Sequence, residues 1–172
     1  MARGLLLATS GFSEPQLEYA YHRLREDAVL VDVASPGGGT IAGDRGAEWE
    51  TIAVSDIEER RRYDLVVLPG GVDGLADHGP TAELLSAHLD GGGVVCAVAD
   101  GARVLASLGT LEGLLVTGYP GGDGELAAAG AVPTEEAVTV DGTVVTVRDS
   151  EALPFGIAAA LVLAGCTGGA DG

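Results

Sequence analysis

At 172 residues the chain is long enough for one domain with a full core and too short for two. Its 26 acidic residues against 9 basic ones give a formal net charge of −17 and a pI near 4.2, a surface that repels nucleic acid and anionic membranes and excludes both as partners. All nine basic residues are Arg and none is Lys; either Arg-favouring codon usage or a cytoplasm of high salt, where the screening length falls to about 3 Å at 1 M, accounts for that balance.

Leu5–Thr9 is a short apolar run ended by Ser10-Gly11, as in a central strand. A helix starts at Ser13 or Glu14, with Pro15 at an early, tolerated position. Leu17, Tyr21 and Leu24 recur at helical spacing, leaving Glu18, Arg25 and Glu26 to water. Ala28–Ala34 reads as the next strand. Ser35-Pro36-Gly37-Gly38-Gly39 is a loop; no Gly-Lys-Ser/Thr follows, so it is not a phosphate cradle. Thr40–Trp49 reads as a hairpin turned by Gly43-Asp44, and Ser55–Arg62 as a short charged helix. Leu65–Leu68 is a buried strand that ends at Pro69-Gly70-Gly71, where two glycines let backbone N–H groups approach a ligand closely.

Thr81–Leu89 is a helix and Gly91-Gly92-Gly93 a loop. Val94–Val98 then forms a buried strand that turns at Ala99-Asp100-Gly101 into a helix beginning near Ala102. A strand-to-helix corner of this kind is where several α/β enzymes expose a nucleophile at the carboxyl edge of the sheet. Here the corner residue is Ala99, which has no nucleophilic atom. Leu114–Thr117 is a short strand, Tyr119–Gly122 a turn and Glu125–Ala129 a helix. Ala137–Val140 and Thr143–Val147 flank Asp141-Gly142, the strongest hairpin signal in the chain. Ala152–Ala164 is the last helix, capped by Asp149 or Ser150. Strands alternating with helices imply a three-layer α/β/α sandwich around a mostly parallel sheet, in one domain over residues 1–166, with a Gly-rich tail over 167–172.

Cys96 and Cys166 are far apart, in apolar surroundings and without metal-ligand spacing, so both read as reduced, packed thiols. No leader peptide is legible at Met1–Leu5 and no apolar run reaches the length of a membrane span; the expected location is the cytoplasm. Ser10 and Ser13, without a neighbouring His, read as turn and cap residues. His22 belongs to the first helix and His88 to a helix end, which leaves His78 as the imidazole placed to reach a pocket beneath the glycine corner. Tyr119 either lends its hydroxyl to that pocket or simply packs. Asp100 reads first as a carboxylate capping the helix N-terminus, and second as a proton acceptor or cation ligand.

With these elements placed, the chain resembles the PfpI family of the ThiJ/PfpI superfamily, which has the class I glutamine amidotransferase-like, flavodoxin-like fold. Tyr19-Ala20-Tyr21-His22-Arg23-Leu24 is similar to that family's first helix, and Thr40-Ile41-Ala42-Gly43 to its hairpin. Leu68-Pro69-Gly70-Gly71 resembles its glycine corner, Gly118-Tyr119-Pro120-Gly121 its Ser-Tyr-Pro-Gly stretch, and Asp141-Gly142 its C-terminal hairpin. The family carries Cys-His-Gly-Pro at the strand-to-helix corner and is linked to intracellular proteolysis, deglycase or glyoxalase activity and chaperone-like roles. On this sequence that motif falls on Ala99-Asp100-Gly101-Ala102, and only the glycine is kept. The family's acidic residue after the first strand falls near Ser13 or Gln16, neither of them acidic; the adjacent Glu14 is rotated from that direction by about 100° on a helix.

The resemblance therefore implies a homo-oligomer, dimer or higher, without an intact catalytic constellation, cofactor or metal. Its remaining pocket, over Gly70, Gly71, Asp100, Gly101 and Tyr119, would take a small-molecule ligand. Gly70, Gly71 and the Asp100 N–H are the expected oxyanion donors. The alternative is a hydrolase-, deglycase- or amidase-type enzyme of shifted chemistry using Asp100, Tyr119, Cys96 or a serine such as Ser13.

Overall fold

The computed structural model describes residues 1–166. Ten strands and five helices follow in chain order: β1 (Arg3–Leu7), α1 (Glu14–Glu26), β2 (Leu30–Ser35), β3 (Gly39–Ala42), β4 (Glu48–Ala53), β5 (Leu65–Leu68), α2 (Gly79–Asp90), β6 (Val94–Val98), α3 (Ala102–Ser107), β7 (Leu115–Thr117), α4 (Asp123–Ala128), β8 (Val132–Thr134), β9 (Val138–Asp141), β10 (Val144–Val147) and α5 (Leu153–Leu163). Eight strands form one sheet in the order β3-β4-β2-β1-β5-β6-β10-β9. Its six inner strands run parallel, and the outermost, β3 and β9, pair antiparallel with β4 and β10.

Strands β1, β5 and β6 read as unbroken apolar runs because they are covered on both faces: Leu5, Leu6, Leu7, Leu65–Leu68 and Val95–Val98 are fully buried. The order reverses at β1, which lies between β2 and β5. From there β1-α1-β2 steps one way and β5-α2-β6 the other, so right-handed crossovers put α1 and α2 on opposite faces. The carboxyl ends of β1, β5 and β6 thus open onto one crevice, the usual ligand position in such sheets.

The Asp141-Gly142 hairpin forms in the expected register, with Val144 opposite Asp141 and Gly142 at φ +60°. The Gly43-Asp44 hairpin forms too, with Ile41 opposite Trp49. One expectation needs correction, and one strand was not expected. Over Ser55–Arg62 there is a single 3₁₀ turn, Val54–Asp56, followed by irregular chain; its charged residues have almost no apolar stripe to bury, so nothing holds a helix there. And β7 does not join the main sheet. It pairs in parallel with β8, a strand the sequence reading missed because Pro133 sits in its middle. The Gly-rich tail over 167–172 lies outside the described residues.

Candidate functional site

Three chain corners meet at the carboxyl edge of the sheet. The first follows β1, where the Ser13 N–H donates to the Gly70 carbonyl (2.9 Å), tying the start of α1 to the second corner, Pro69-Gly70-Gly71. The third follows β6 at Ala99. Its φ is +51°, a left-handed backbone that alanine adopts at a cost of about 1 kcal/mol. The glycine two residues on shows what imposes this bend. A Cβ on Gly101 would lie 2.4 Å from the Leu68 carbonyl oxygen and 2.8 Å from that of Pro69. Glycine lets the turn after β6 press directly on the backbone leaving β5, and Ala99 takes up the remaining torsion. Gly101 is therefore a packing residue and contributes nothing to the cavity wall.

Hydrogen bonds between the corners differ from the expected oxyanion trio. The Gly70 N–H donates to Gln16 Oε1 (2.7 Å), and Gln16 Nε2 donates to Ser150 Oγ (3.1 Å). Gln16 is buried, and its amide bridges two segments, accepting from one and donating to the other. The Gly71 N–H donates to Asp100 Oδ1 (3.1 Å). Asp100 is thus not the helix cap that its position suggested; no side chain caps the turn at Ala99–Gly101 or α3. Its carboxylate reaches across to the glycine corner because the left-handed Ala99 turns it that way. Both glycine N–H groups that an incoming oxyanion would use are occupied by side chains of the chain itself. The sequence could have signalled Gln16, since it lies on the same side of α1 as Ser13 and one turn on; its amide was passed over because it is not acidic.

Glu14, one residue from the cap, points elsewhere. Its Oε2 accepts the backbone N–H groups of Arg45 and Ala47 and so organises the β3–β4 hairpin. Ser13 is at the N-cap of α1 but makes no side-chain cap bond. Cys96 is completely buried, and burial pushes its thiol up to about 12, which keeps it protonated. His78 does not reach the crevice: its Nδ1 lies 2.9 Å from Thr81 Oγ1 at the start of α2. His88 bonds the Val94 carbonyl (2.8 Å), and burial lowers its pKa.

Beside the corners is an open cavity of about 370 Å³. Ala99, Asp100 and Tyr119 line it, as do Arg103, Pro120, Gly121 and Glu125. Gly70, Gly71 and Gly101, expected in its wall, do not line it. Arg103 on α3 bridges Asp73 (2.9 Å) and Glu125 Oε2 (2.8 Å), and these carboxylates, Asp73 foremost, raise its pKa. The Tyr119 hydroxyl donates to Glu125 Oε2 (3.2 Å); burial first, then the Glu125 charge, pushes the phenol up to about 12. Tyr119 therefore offers a proton rather than a phenolate at neutral pH. Arg103 leaves no local signal in the sequence because its partners lie 22 to 30 residues away. Among the described residues no group of three or more His, Cys, Asp or Glu is arranged to hold a metal, and no helix is long and apolar enough to cross a membrane.

The model of the DJ-1/PfpI family matches residues 2–161. The chain is 31% identical over 146 residues to the deglycase PH1704 of Pyrococcus horikoshii, an alignment covering 84% of this chain and 88% of that protein. The crystal structure of Drosophila melanogaster DJ-1beta superposes with a TM-score of 0.85 at 27% identity, over 95% of this chain and 91% of the other. A two-domain protein from Anabaena variabilis with a DJ-1/ThiJ/PfpI-like domain and a ferritin-like domain superposes at a TM-score of 0.91 and 23% identity, over 98% of this chain and 49% of that one; it shares the fold.

Proposed function

Because the chain belongs to the DJ-1/PfpI family, we propose that it is a member whose strand-to-helix corner carries no covalent chemistry, and that it works by binding a small molecule beside that corner as a cytoplasmic homo-oligomer. The observation that carries this reading is the pair of self-made bonds at the glycine corner, Gln16 to the Gly70 N–H and Asp100 to the Gly71 N–H, next to a methyl group at position 99. If the family's Cys-His pair corresponds to Ala99 and Asp100, the thiol is absent and a carboxylate occupies a donor that would stabilise an oxyanion. Loss of the nucleophile from a comparable catalytic unit costs about 10⁶ in kcat. Cys96 is no substitute, since it is buried in mid-strand and held protonated. The cavity lined by Tyr119, Arg103 and Glu125 supports the binding half of the reading. A cytoplasm of high salt fits the −17 charge and the absence of Lys.

The test is a turnover and labelling assay in high salt. The unmodified protein is expected to leave methylglyoxal intact and Cys96 unreacted with iodoacetamide. Installing Ala99→Cys with Asp100→His is expected to create a reactive thiol, because the same exchange introduces sulfur and frees the Gly71 N–H. Turnover by the unmodified protein, abolished by Tyr119→Phe or Asp100→Asn, would instead establish the second reading, a hydrolase or lyase using those two side chains. That reading has one observation of its own: a protonated Tyr119 hydroxyl at the cavity wall, beside a carboxylate.

A further inference from the structure

We infer that a second cavity, sharing only Tyr119 and Pro120 with the one beside the corner, binds a small zwitterion of the α-amino acid class. It measures about 250 Å³, and the charged groups in its wall are Arg148, Asp123 and Glu135. They come from three separate places: Arg148 follows β10, Asp123 opens α4 and Glu135 follows β8. Opposite charges around one cavity ordinarily pair with each other. Arg23, Arg61 and Arg103, half-buried like Arg148, each hold a carboxylate. Arg148 makes no ion pair among the described residues, although acids outnumber bases 26 to 9. Among those residues the Asp123 and Glu135 carboxylates have no ion-pair partner either.

The chain fixes these groups in place and leaves their charges unmatched. The Arg148 N–H donates to the Ala137 carbonyl (2.9 Å), and its Nη2 donates to the Glu135 carbonyl. A guanidinium has five N–H donors, so the fork remains open to an acceptor in the cavity. Asp123 is seated against Gly118, where a Cβ would lie 1.9 Å from Asp123 Oδ1 and displace the carboxylate. The other polar side chains of the wall are committed elsewhere: Thr134 Oγ1 lies 3.0 Å from Thr139 Oγ1, and the Tyr119 hydroxyl donates to Glu125.

That set selects a ligand by its charges. A simple carboxylate would meet Arg148 but also two like charges, in a chain of charge −17 that repels anions. A simple ammonium would suit the carboxylates and leave the guanidinium facing another cation. A molecule carrying both groups on one carbon satisfies both sides. Its carboxylate accepts paired bonds from the Arg148 fork, and its ammonium donates to Asp123 and Glu135. Being neutral overall, it is not excluded by the field of the molecule. The volume falls below the roughly 300 Å³ at which drug-sized pockets begin, which suits a ligand of a few heavy atoms. Asp123 and Glu135 are exposed, so water screens their pairing and the affinity is modest, with a Kd of about 1 mM.

Isothermal titration calorimetry of the full chain, in buffer where far-UV circular dichroism shows it folded, tests this with L-alanine, propionate and ethylamine. The three share a carbon frame and differ in charge. L-Alanine is expected to bind, and propionate and ethylamine at least about tenfold more weakly. Asp123→Asn, an exposed change that keeps the fold, is expected to weaken L-alanine about three- to fivefold, and Arg148→Gln to remove measurable binding. Backbone amide shifts on titration are expected at Gly118, Thr134 and Arg148. No binding of L-alanine by the folded wild type up to about 20 mM overturns the inference. So do equal affinities for the three probes, affinity unchanged in both variants, or shifts confined to Ala99–Arg103 beside the corner.

Discussion

Ala99 is the residue at which backbone and chemistry can be separated experimentally. Its left-handed torsion suits glycine better than any residue with a Cβ. Ala99→Gly is therefore expected to hold or raise stability by up to about 1 kcal/mol, whereas Ala99→Val, branched at Cβ, lowers it by about 2 kcal/mol, read as the shift in urea midpoint. Gln16 gives the complementary experiment. Gln16→Ala strands the Gly70 N–H with no acceptor and is expected to cost about 1–3 kcal/mol in the same measurement. At this scale the sequence was only partly legible. That Ala99 occupies a bend followed from the Asp100-Gly101 break. That Asp100 would bond the Gly71 N–H did not follow, because the direction of a side chain after a left-handed residue depends on a torsion that no local pattern encodes. Arg103 with Asp73 and Glu125 escaped for a related reason: charge pairs across separate elements leave no periodic trace.

Elements were far more legible than site contacts. Continuous apolar runs marked the doubly covered strands β1, β5 and β6, and Asp141-Gly142 marked its hairpin. The failures lie where local signals conflict with tertiary context. The stretch 55–62 has helix-forming residues but little to bury, and it stays irregular after one turn. Trypsin is accordingly expected to cut first within Arg60–Arg62 and to spare the arginines of α1 and α3, as mass spectrometry of early fragments would show. Strand β8 carries a proline and still pairs with β7, which is held by a hydroxyl relay. The Thr117 N–H donates to Thr146 Oγ1 (2.7 Å), while Thr117 Oγ1 and Thr139 Oγ1 lie 2.7 Å apart. Thr146→Val, nearly identical in shape, leaves that buried N–H unpaired and is expected to destabilise the chain by about 1–3 kcal/mol in a urea titration.

For the whole molecule the dominant quantity is charge. Two effects of pH oppose each other, and His88 separates them. Protonating carboxylates relieves the repulsion of 26 acidic against 9 basic groups. His88, whose folded pKa burial lowers, acts the other way: its contribution is complete above its unfolded value of about 6.5 and is lost as pH falls through the folded value. The stability difference between wild type and His88→Gln is therefore expected to shrink as pH falls from about 7 to about 5, followed by thermal melts at fixed salt.

The contact between Gly101 and the carbonyls of Leu68 and Pro69 has a consequence for how such a protein can change over time. The shape of the turn is stored in one hydrogen atom where any larger substituent would collide, so position 99 answers only for its own torsion and not for the contact between the two strands. Exchanges at position 99 that accept its left-handed torsion therefore leave the framework standing, whatever atom they bring to the crevice.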